Sequence, residues 1–100
     1  MKVRYRALAL ADLENIFRFL NERSPAGAGN VLRAIREAID DIAEHPLASP
    51  RTSDPKIRVK ILGRYRYKIF YSPGEDAIEI IHIRHAARRP WIDRGRKSSG

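Results

Sequence analysis

The sequence predicts a two-layer α+β domain in which a helical hairpin packs against an antiparallel sheet. Three observations predict this class. Apolar residues recur at helical spacing in the first half, three alternating segments joined by short turns follow, and 100 residues suit one hydrophobic core. We expect a single domain over residues 1–92, consisting of an N-terminal strand, the helical hairpin and a three-stranded meander. Residues 93–100 are expected to form a disordered basic tail.

The first elements are a short strand and a helix. Val3 and Tyr5 alternate with arginines, which predicts a strand within Val3–Leu8. A helix is then predicted from Ala9 to Arg23, because apolar residues fall on one face at helical spacing. These residues are Leu10, Leu13, Ile16, Phe17 and Leu20.

A second helix is predicted from Pro25 to Glu44. Ser24 is a suitable N-cap and Pro25 suits the first helical position. The short joint predicts that the two helices lie antiparallel as a hairpin. Proline and small polar residues then predict a loop over residues 45–55. The apolar stripe of the second helix consists of Ala28, Val31, Leu32, Ile35, Ala38, Ile39 and Ile42.

Three strand segments follow this loop. Ile57–Leu62 and Tyr65–Tyr71 alternate between apolar and basic residues, and Gly63-Arg64 between them predicts a tight turn. Residues 72–76 predict a second turn. The strongest strand signal is Ala77–His85. Strands joined by turns this short form an antiparallel meander.

The alternation predicts a cationic open face on this sheet. We expect Ile57, Val59 and Ile61 to face the helices, so that the cations between them point away. Ile69 and Tyr71 predict the same direction for the next strand. The four cations that this places on one open surface are Arg58, Lys60, Arg66 and Lys68.

The last strand contributes further basic groups. Its alternation places His82 and Arg84 on one face with Ile78 and Ile80, and His85 on the other face. The sequence leaves open which of the two faces is outward, because a one-residue change of register exchanges them.

Charge and composition narrow the classes of function. The formal net charge is +8, and residues 51–100 carry all of the excess because residues 1–50 are neutral. A basic half predicts an anionic partner such as nucleic acid, an anionic membrane surface or an acidic protein. The sequence contains no Cys, which excludes disulfides and thiolate chemistry. We expect no cofactor, no metal site and no membrane span, and therefore a cytoplasmic protein.

Four segments occur in an order and spacing typical of a known family. They are residues 11–16 (Ala-Asp-Leu-Glu-Asn-Ile), the predicted helix 25–46, residues 64–71 (Arg-Tyr-Arg-Tyr-Lys-Ile-Phe-Tyr) and residues 81–91 (Ile-His-Ile-Arg-His-Ala-Ala-Arg-Arg-Pro-Trp). Together they resemble the RelE/ParE family of toxins from bacterial type II toxin–antitoxin systems, also known as plasmid stabilisation proteins.

The resemblance implies a growth-inhibiting toxin that a cognate antitoxin, encoded beside it, neutralises. The antitoxin of such systems carries an acidic segment that folds on the toxin, which fits a basic domain. RelE-like members cut messenger RNA on the ribosome, whereas ParE-like members block DNA gyrase. Both targets are therefore open for this chain, and a non-catalytic basic nucleic-acid-binding module is a lesser alternative.

A ribonuclease needs a base, an acid and cations around the phosphate. The candidates for a metal-independent endoribonuclease are His85 as base or acid, with Lys60, Arg66 and Arg88 on the phosphate. RelE-like enzymes often carry a late catalytic Tyr, but no Tyr follows Tyr71. This absence favours a ParE-like, gyrase-directed toxin.

The residues expected to bind an anionic partner, either RNA or the antitoxin, form a larger set. We expect the antitoxin to use the charged sheet together with the outer groove of the helical hairpin. The predicted binding residues are Arg58, Lys60, Arg64, Arg66, Lys68, Arg84, Arg88, Arg89 and Trp91.

Overall fold

The computed structural model describes residues 1–87. Within them it contains four strands and two helices. In chain order these are β1 (Lys2–Tyr5), α1 (Ala7–Arg23), α2 (Pro25–Glu44), β2 (Arg58–Leu62), β3 (Tyr67–Pro73) and β4 (Ala77–His85). The predicted tail of residues 93–100 lies outside the described residues, as do Arg88, Arg89 and Trp91.

The strands form one sheet in the order β1-β4-β3-β2. β2, β3 and β4 are antiparallel, as predicted, and β1 joins the sheet as an edge strand parallel to β4. The helical hairpin packs against one face of this sheet. The predicted α+β class is therefore confirmed, and the structure adds the position of the first strand.

The second helix begins and ends at the predicted residues. The Ser24 side chain accepts the Gly27 N–H at 3.1 Å, and Pro25 occupies the first helical position. Its buried stripe packs against the sheet. This stripe contains Ala28, Val31, Ile35, Ala38, Ile39 and Ile42.

The first helix begins earlier than predicted, and the strand before it is shorter. β1 ends at Tyr5 rather than reaching Leu8, and α1 begins at Ala7 rather than Ala9. The reason lies at Arg6. Its N–H donates to the Ile80 carbonyl at 3.0 Å, and its own carbonyl accepts the Leu10 N–H at 3.1 Å. One residue therefore ends the strand ladder and caps the helix.

The core lies between the helical hairpin and the central strands β3 and β4, and α1 contributes Ala9 and Ile16 to it. The Tyr71 hydroxyl reaches out of it and donates to the Pro46 carbonyl at 2.7 Å, which ties the loop after α2 to the sheet. The largest fully buried side chains are Tyr67, Tyr71, Ile35, Ile42, Ile69, Ile78, Ile80 and Ile83.

The predicted orientation of β2 is wrong. Arg58 lies opposite Tyr71 and Lys60 lies opposite Ile69, and residues directly opposite each other share a face. The two cations therefore point to the helix side, whereas Ile61 is 58% exposed on the other side. The expected surface of four adjacent cations does not form. The basic side chains of β2 instead find partners beside α2, as described below.

The turn between β2 and β3 is also longer than the predicted Gly63-Arg64 turn. It covers residues 63–66, and β3 begins at Tyr67 rather than Tyr65. Arg66 has a positive φ of 63°, a conformation uncommon for residues other than glycine. Arg66 therefore belongs to the turn, and of the two cations expected from this strand only Lys68 lies on the open face.

An irregularity in the pairing of β3 and β4 corrects the expected faces of β4. Phe70 lies opposite His82 while Tyr71 lies opposite Ile80, so that one extra residue, Ile81, separates the two pairs. Beyond this bulge the alternation changes phase. Ile78, Ile80, Ile83 and His85 therefore face the helices, and His82 and Arg84 face away.

Within residues 1–87 no helix is long and apolar enough to cross a membrane. The same residues contain no group of three side chains suited to holding a metal ion.

Candidate functional site

The face of the sheet that points away from the helices, here called the open face, mixes apolar and basic side chains. β2 contributes Val59 and Ile61 to it, because these residues pair with Phe70 and Lys68 of β3. β4 adds two more residues opposite the same positions. The central residues of the open face are Val59, Ile61, Lys68, Phe70, His82 and Arg84.

Phe70 is the centre of this surface. The His82 ring stacks on it, with a centroid separation of 5.8 Å and an interplanar angle of 19°. The Arg84 guanidinium lies 5.7 Å from the Phe70 centroid, within reach of a cation–π interaction. An aromatic ring flanked by an imidazole and a guanidinium forms a flat platform that can hold an apolar or planar group.

Lys68 and Arg84 lie directly opposite each other on neighbouring strands. Among residues 1–87 neither side chain forms an ion pair. Like charges at opposed positions repel, so a bound carboxylate or phosphate relieves an unfavourable contact as well as adding a favourable one. This pair is therefore the strongest candidate on the open face for binding an anion.

Asp12 joins α1 to β4 at the edge of this surface. Its Oδ2 atom accepts the Ile83 N–H at 2.9 Å and lies 2.7 Å from His82 Nδ1. Both side chains are mostly buried. β1 pairs with β4 only as far as Ile80, so the carboxylate supplies an acceptor that a strand would otherwise provide.

The basic residues of β2 have internal partners. Lys60 Nζ donates to Asp41 Oδ2 at 2.7 Å, and this hydrogen bond and the lysine charge hold the pKa of Asp41 below its usual value. The Arg58 guanidinium donates to the carbonyls of Leu47 at 3.2 Å and Ser49 at 2.7 Å. The hydrogen bonds of these two cations connect the sheet to α2 and to the loop that follows α2.

His85, a predicted catalytic residue, lies on the helix side of the sheet. Its ring meets the Tyr67 ring edge-on at 5.0 Å, and its Nδ1 accepts the Ala87 N–H at 3.1 Å. Lys60 is on the same side but two strands away, about 10 Å at ordinary strand spacing. Within the described residues, Lys60 is therefore not brought together with His85. Arg66 does lie beside His85, because its carbonyl accepts the Ala86 N–H.

The remaining predicted residues sit at the end of the sheet or beyond it. Arg64 extends over the Tyr65 ring at 5.4 Å, and Arg66 follows in the same exposed turn. Arg88, Arg89 and Trp91 lie outside the described residues.

Two apolar grooves flank α1. The larger, here called the hairpin groove, has a volume of about 800 Å³ and lies between the two helices and Tyr5. Burial and the nearby Asp40 charge raise the pKa of Tyr5, against the opposing effect of Arg36. The apolar side chains of the hairpin groove are Leu10, Leu13, Leu32, Ile35 and Ile39.

The smaller groove, here called the open-face groove, has a volume of about 410 Å³. It lies on the open face between the start of α1, the loop before β2 and the Phe70 platform. Asp54 stands at its loop side, where its carboxylate accepts the Lys56 N–H at 2.9 Å. The main walls of the open-face groove are Leu8, Ile57, Phe70, Ile81 and His82.

Comparison with known proteins identifies the family. The family model for the ParE toxin of type II toxin–antitoxin systems, parDE, matches residues 3–90. The chain belongs to the ParE toxin family. The match covers both grooves and all of the sheet except Lys2, which confirms the family resemblance predicted from the sequence.

Two solved structures share the fold of this ParE-family chain. One is from the chromosomal ParDE TA system of P. aeruginosa, 20% identical, covering 85% of this chain and 95% of that chain with a TM-score of 0.73. The other is the isolated E. coli RelE toxin, 14% identical, covering 99% of this chain and 98% of that chain with a TM-score of 0.62. At such identities the likeness establishes the fold alone. No curated protein sequence gives a significant match.

Sequence reasoning missed two important residues of this ParE-family site. In the sequence, Asp12 and Phe70 stand out only as members of the family-like segments 11–16 and 64–71, with no role of their own. Phe70 carried a usable signal, since it stands between Ile69 and Tyr71 and must face away from them. Asp12 carried none, because its partners are some 70 residues away in the chain.

Proposed function

We propose that this protein is the toxin of a type II toxin–antitoxin pair, a growth inhibitor that an antitoxin encoded by the neighbouring gene binds and neutralises. Membership of the ParE toxin family over residues 3–90 supports this proposal. A toxin of this kind needs one surface for its antitoxin and one for its target, and the two grooves beside α1 offer two separate surfaces.

The hairpin groove suits the antitoxin. Its lining is mainly apolar and comes from both helices and Tyr5, with Glu14 and Arg36 as its charged members. Leu10 remains 54% exposed on it. An exposed apolar groove between two helices matches the apolar face of an amphipathic helix. An antitoxin segment that folds on this groove buries these apolar side chains. The free energy gained by burial offsets the conformational entropy that the segment loses when it becomes ordered.

The target is proposed to be DNA gyrase. The observation that carries this choice is the position of Lys60 and His85, which point to the helix side and have partners there. On the open face, the described residues include a single histidine, His82, whose Nδ1 lies against Asp12. A protein that acts by binding needs no assembled acid, base and phosphate site.

A RelE-like, metal-independent endoribonuclease is the second candidate, and one observation favours it. A carboxylate that holds one nitrogen of an imidazole orients the ring, which leaves the other nitrogen for proton transfer. The Asp12–His82 pair has this arrangement, and Phe70, Lys68 and Arg84 beside it can hold a base and a phosphate.

One experiment separates the two candidates. Purified toxin is added in parallel to a gyrase supercoiling assay and to ribosomes programmed with a defined messenger. Inhibition of supercoiling without messenger cleavage is the expected result. Site-specific cleavage would reverse the choice of target.

Histidine and lysine variants then locate any cleavage activity that is seen. Loss of cleavage in His82→Gln, with His45→Gln unchanged, would assign catalysis to the open face. His45 is a suitable matched control because it is an exposed residue at the end of α2. Loss in Lys60→Ala or His85→Ala would instead support the set predicted from the sequence.

A further inference from the structure

The open-face groove and the hairpin groove have no lining residue in common. Leu8 and Leu10 illustrate the separation, since they stand two positions apart in α1 and line different grooves. An occupant of one groove therefore need not displace an occupant of the other. A protein with two non-overlapping apolar grooves can bind two different partners.

The open-face groove has a distinct chemical character. Its walls are aliphatic and aromatic, and Leu8 is 39% exposed at its rim. The Phe70 wall continues into Arg84 on the same face, with Lys68 opposite Arg84. A ligand that fits must present an apolar group to the groove and negative charge to these two cations.

The polar atoms of the groove favour a protein segment over nucleic acid. The Thr52 hydroxyl lies 3.0 Å from both the Asp54 and Ile57 carbonyl oxygens and accepts the Asp54 N–H. The hydroxyl is thus already hydrogen-bonded within the loop and has little capacity left to bind the edge of a base. The Asp54 carboxylate at the loop side repels any anion, so the negative charge of a ligand must be confined to the end near Lys68 and Arg84. A peptide can confine its carboxylates to one end, whereas a phosphodiester chain carries charge along its whole length.

We propose that the open-face groove is the docking surface for an acidic segment of the protein target. The segment seats an apolar side chain against Leu8, Phe70 and Ile81 and places carboxylates on Lys68 and Arg84. This inference rests on the proposed function, because it assumes a target that is a protein. The antitoxin occupies the hairpin groove on the other side of α1.

A leucine substitution tests the apolar part of the surface. Leu8→Glu places a charge in the open-face groove, and Leu47→Glu makes the same change at a residue that is 67% exposed and lines neither groove. Binding to purified DNA gyrase and inhibition of supercoiling are measured for both. We expect Leu8→Glu to weaken both by about tenfold or more, with Leu47→Glu close to wild type.

A charge reversal tests the cationic part. Arg84→Glu is compared with Arg33→Glu, which makes the same change at an exposed position on α2. Loss of gyrase binding in the first variant alone is the expected result. Thermal unfolding of every variant, together with its affinity for the antitoxin encoded by the neighbouring gene, shows that the fold and the hairpin groove are intact.

The outcomes separate the docking surface from the proposed function. A folded Leu8→Glu that inhibits gyrase as strongly as wild type would overturn the docking surface and leave the function standing. A wild-type protein that neither binds nor inhibits gyrase would overturn the proposed target. If Arg84→Glu lost affinity for single-stranded RNA but kept full gyrase inhibition, the open face would be a nucleic-acid surface and the proposal would be wrong.

Discussion

At the scale of single residues, Asp12 is the most informative side chain in the molecule. It accepts one backbone N–H from β4 and contacts the His82 ring, so one carboxylate fixes both the position of α1 and the orientation of the imidazole. α1 contributes walls to both grooves. A change at Asp12 is therefore expected to affect the fold first and both binding surfaces through it.

Asp12→Ala leaves the Ile83 N–H at a mostly buried site without its acceptor. We expect a loss of about 2–3 kcal/mol in the free energy of unfolding, measured by urea denaturation. Glu14→Ala, at an exposed residue of the same helix, is the control and should cost less than about 1 kcal/mol. Equal costs for the two variants would show that Asp12 contributes no more than a surface charge.

The Lys60–Asp41 pair predicts a dependence of stability on pH. The pKa of Asp41 is lower in the folded protein than its ordinary value of 3.8. The ion pair therefore stabilises the fold above this ordinary pKa, and the stabilisation is lost as the pH falls through the lower pKa of folded Asp41. Lys60→Met should therefore be less stable than wild type near neutral pH, with a gap that closes in acid. Thermal unfolding across pH measures the gap. A gap that persists unchanged in strong acid would contradict the ionic contact.

At the scale of elements, α2 was predictable to the residue and β2 was not. α2 carries a long apolar stripe after a Ser-Pro start, so its pattern and its boundary signals agree. β2 has only five residues. Val59 and Ile61 share one face of it, and the two cations share the other face with Leu62. The two cations point to the helix side because backbone carbonyls and the Asp41 carboxylate accept hydrogen bonds from them there. Such acceptors are set by the tertiary fold and leave no mark in the local sequence.

The faces of β4 were unpredictable for a different reason. A single extra residue at Ile81 changes the phase of the alternation halfway along the strand. Bulges are produced by the pairing of two strands, and the sequence of one strand does not reveal them. As a result, the sequence indicated a basic sheet and its family, whereas the Phe70 platform and the open-face groove emerged only from the structure.

The orientation of β2 is testable with two alanine variants. Ile61 is 58% exposed and Leu62 only 9%, although they are neighbours. Leu62→Ala should cost about 2–4 kcal/mol of unfolding free energy because it leaves a cavity, and Ile61→Ala less than about 1 kcal/mol. Chemical denaturation distinguishes them. The opposite order of costs would indicate that β2 faces the other way.

At the scale of the whole molecule, the charge excess is divided by the fold. The neutral first half forms β1 and the helical hairpin, and the basic second half forms the rest of the sheet and the residues after it. Arg58 and Lys60 carry part of that charge, and both donate hydrogen bonds to groups within the fold. The remainder gives the molecule a positive field, which attracts acidic partners over a distance before any groove is filled.

This division predicts how salt affects the binding of the antitoxin. Long-range attraction governs the association rate, whereas the apolar contacts of the hairpin groove govern dissociation. Raising the salt concentration from about 0.05 M to about 0.5 M should therefore slow association by about tenfold, with a much smaller change in the dissociation rate. Surface plasmon resonance separates the two rates. A salt effect carried mainly by dissociation would place ion pairs, not apolar contacts, at the centre of the interface.

Toxicity of this ParE-family chain is the basis of the proposed function, and it can be measured as bacterial growth on induced expression. Growth is followed after induction of the chain alone and together with the product of the neighbouring gene, with soluble protein measured in both cultures. We expect arrest in the first culture and recovery in the second. Normal growth of cells that contain abundant, soluble and folded protein would contradict it.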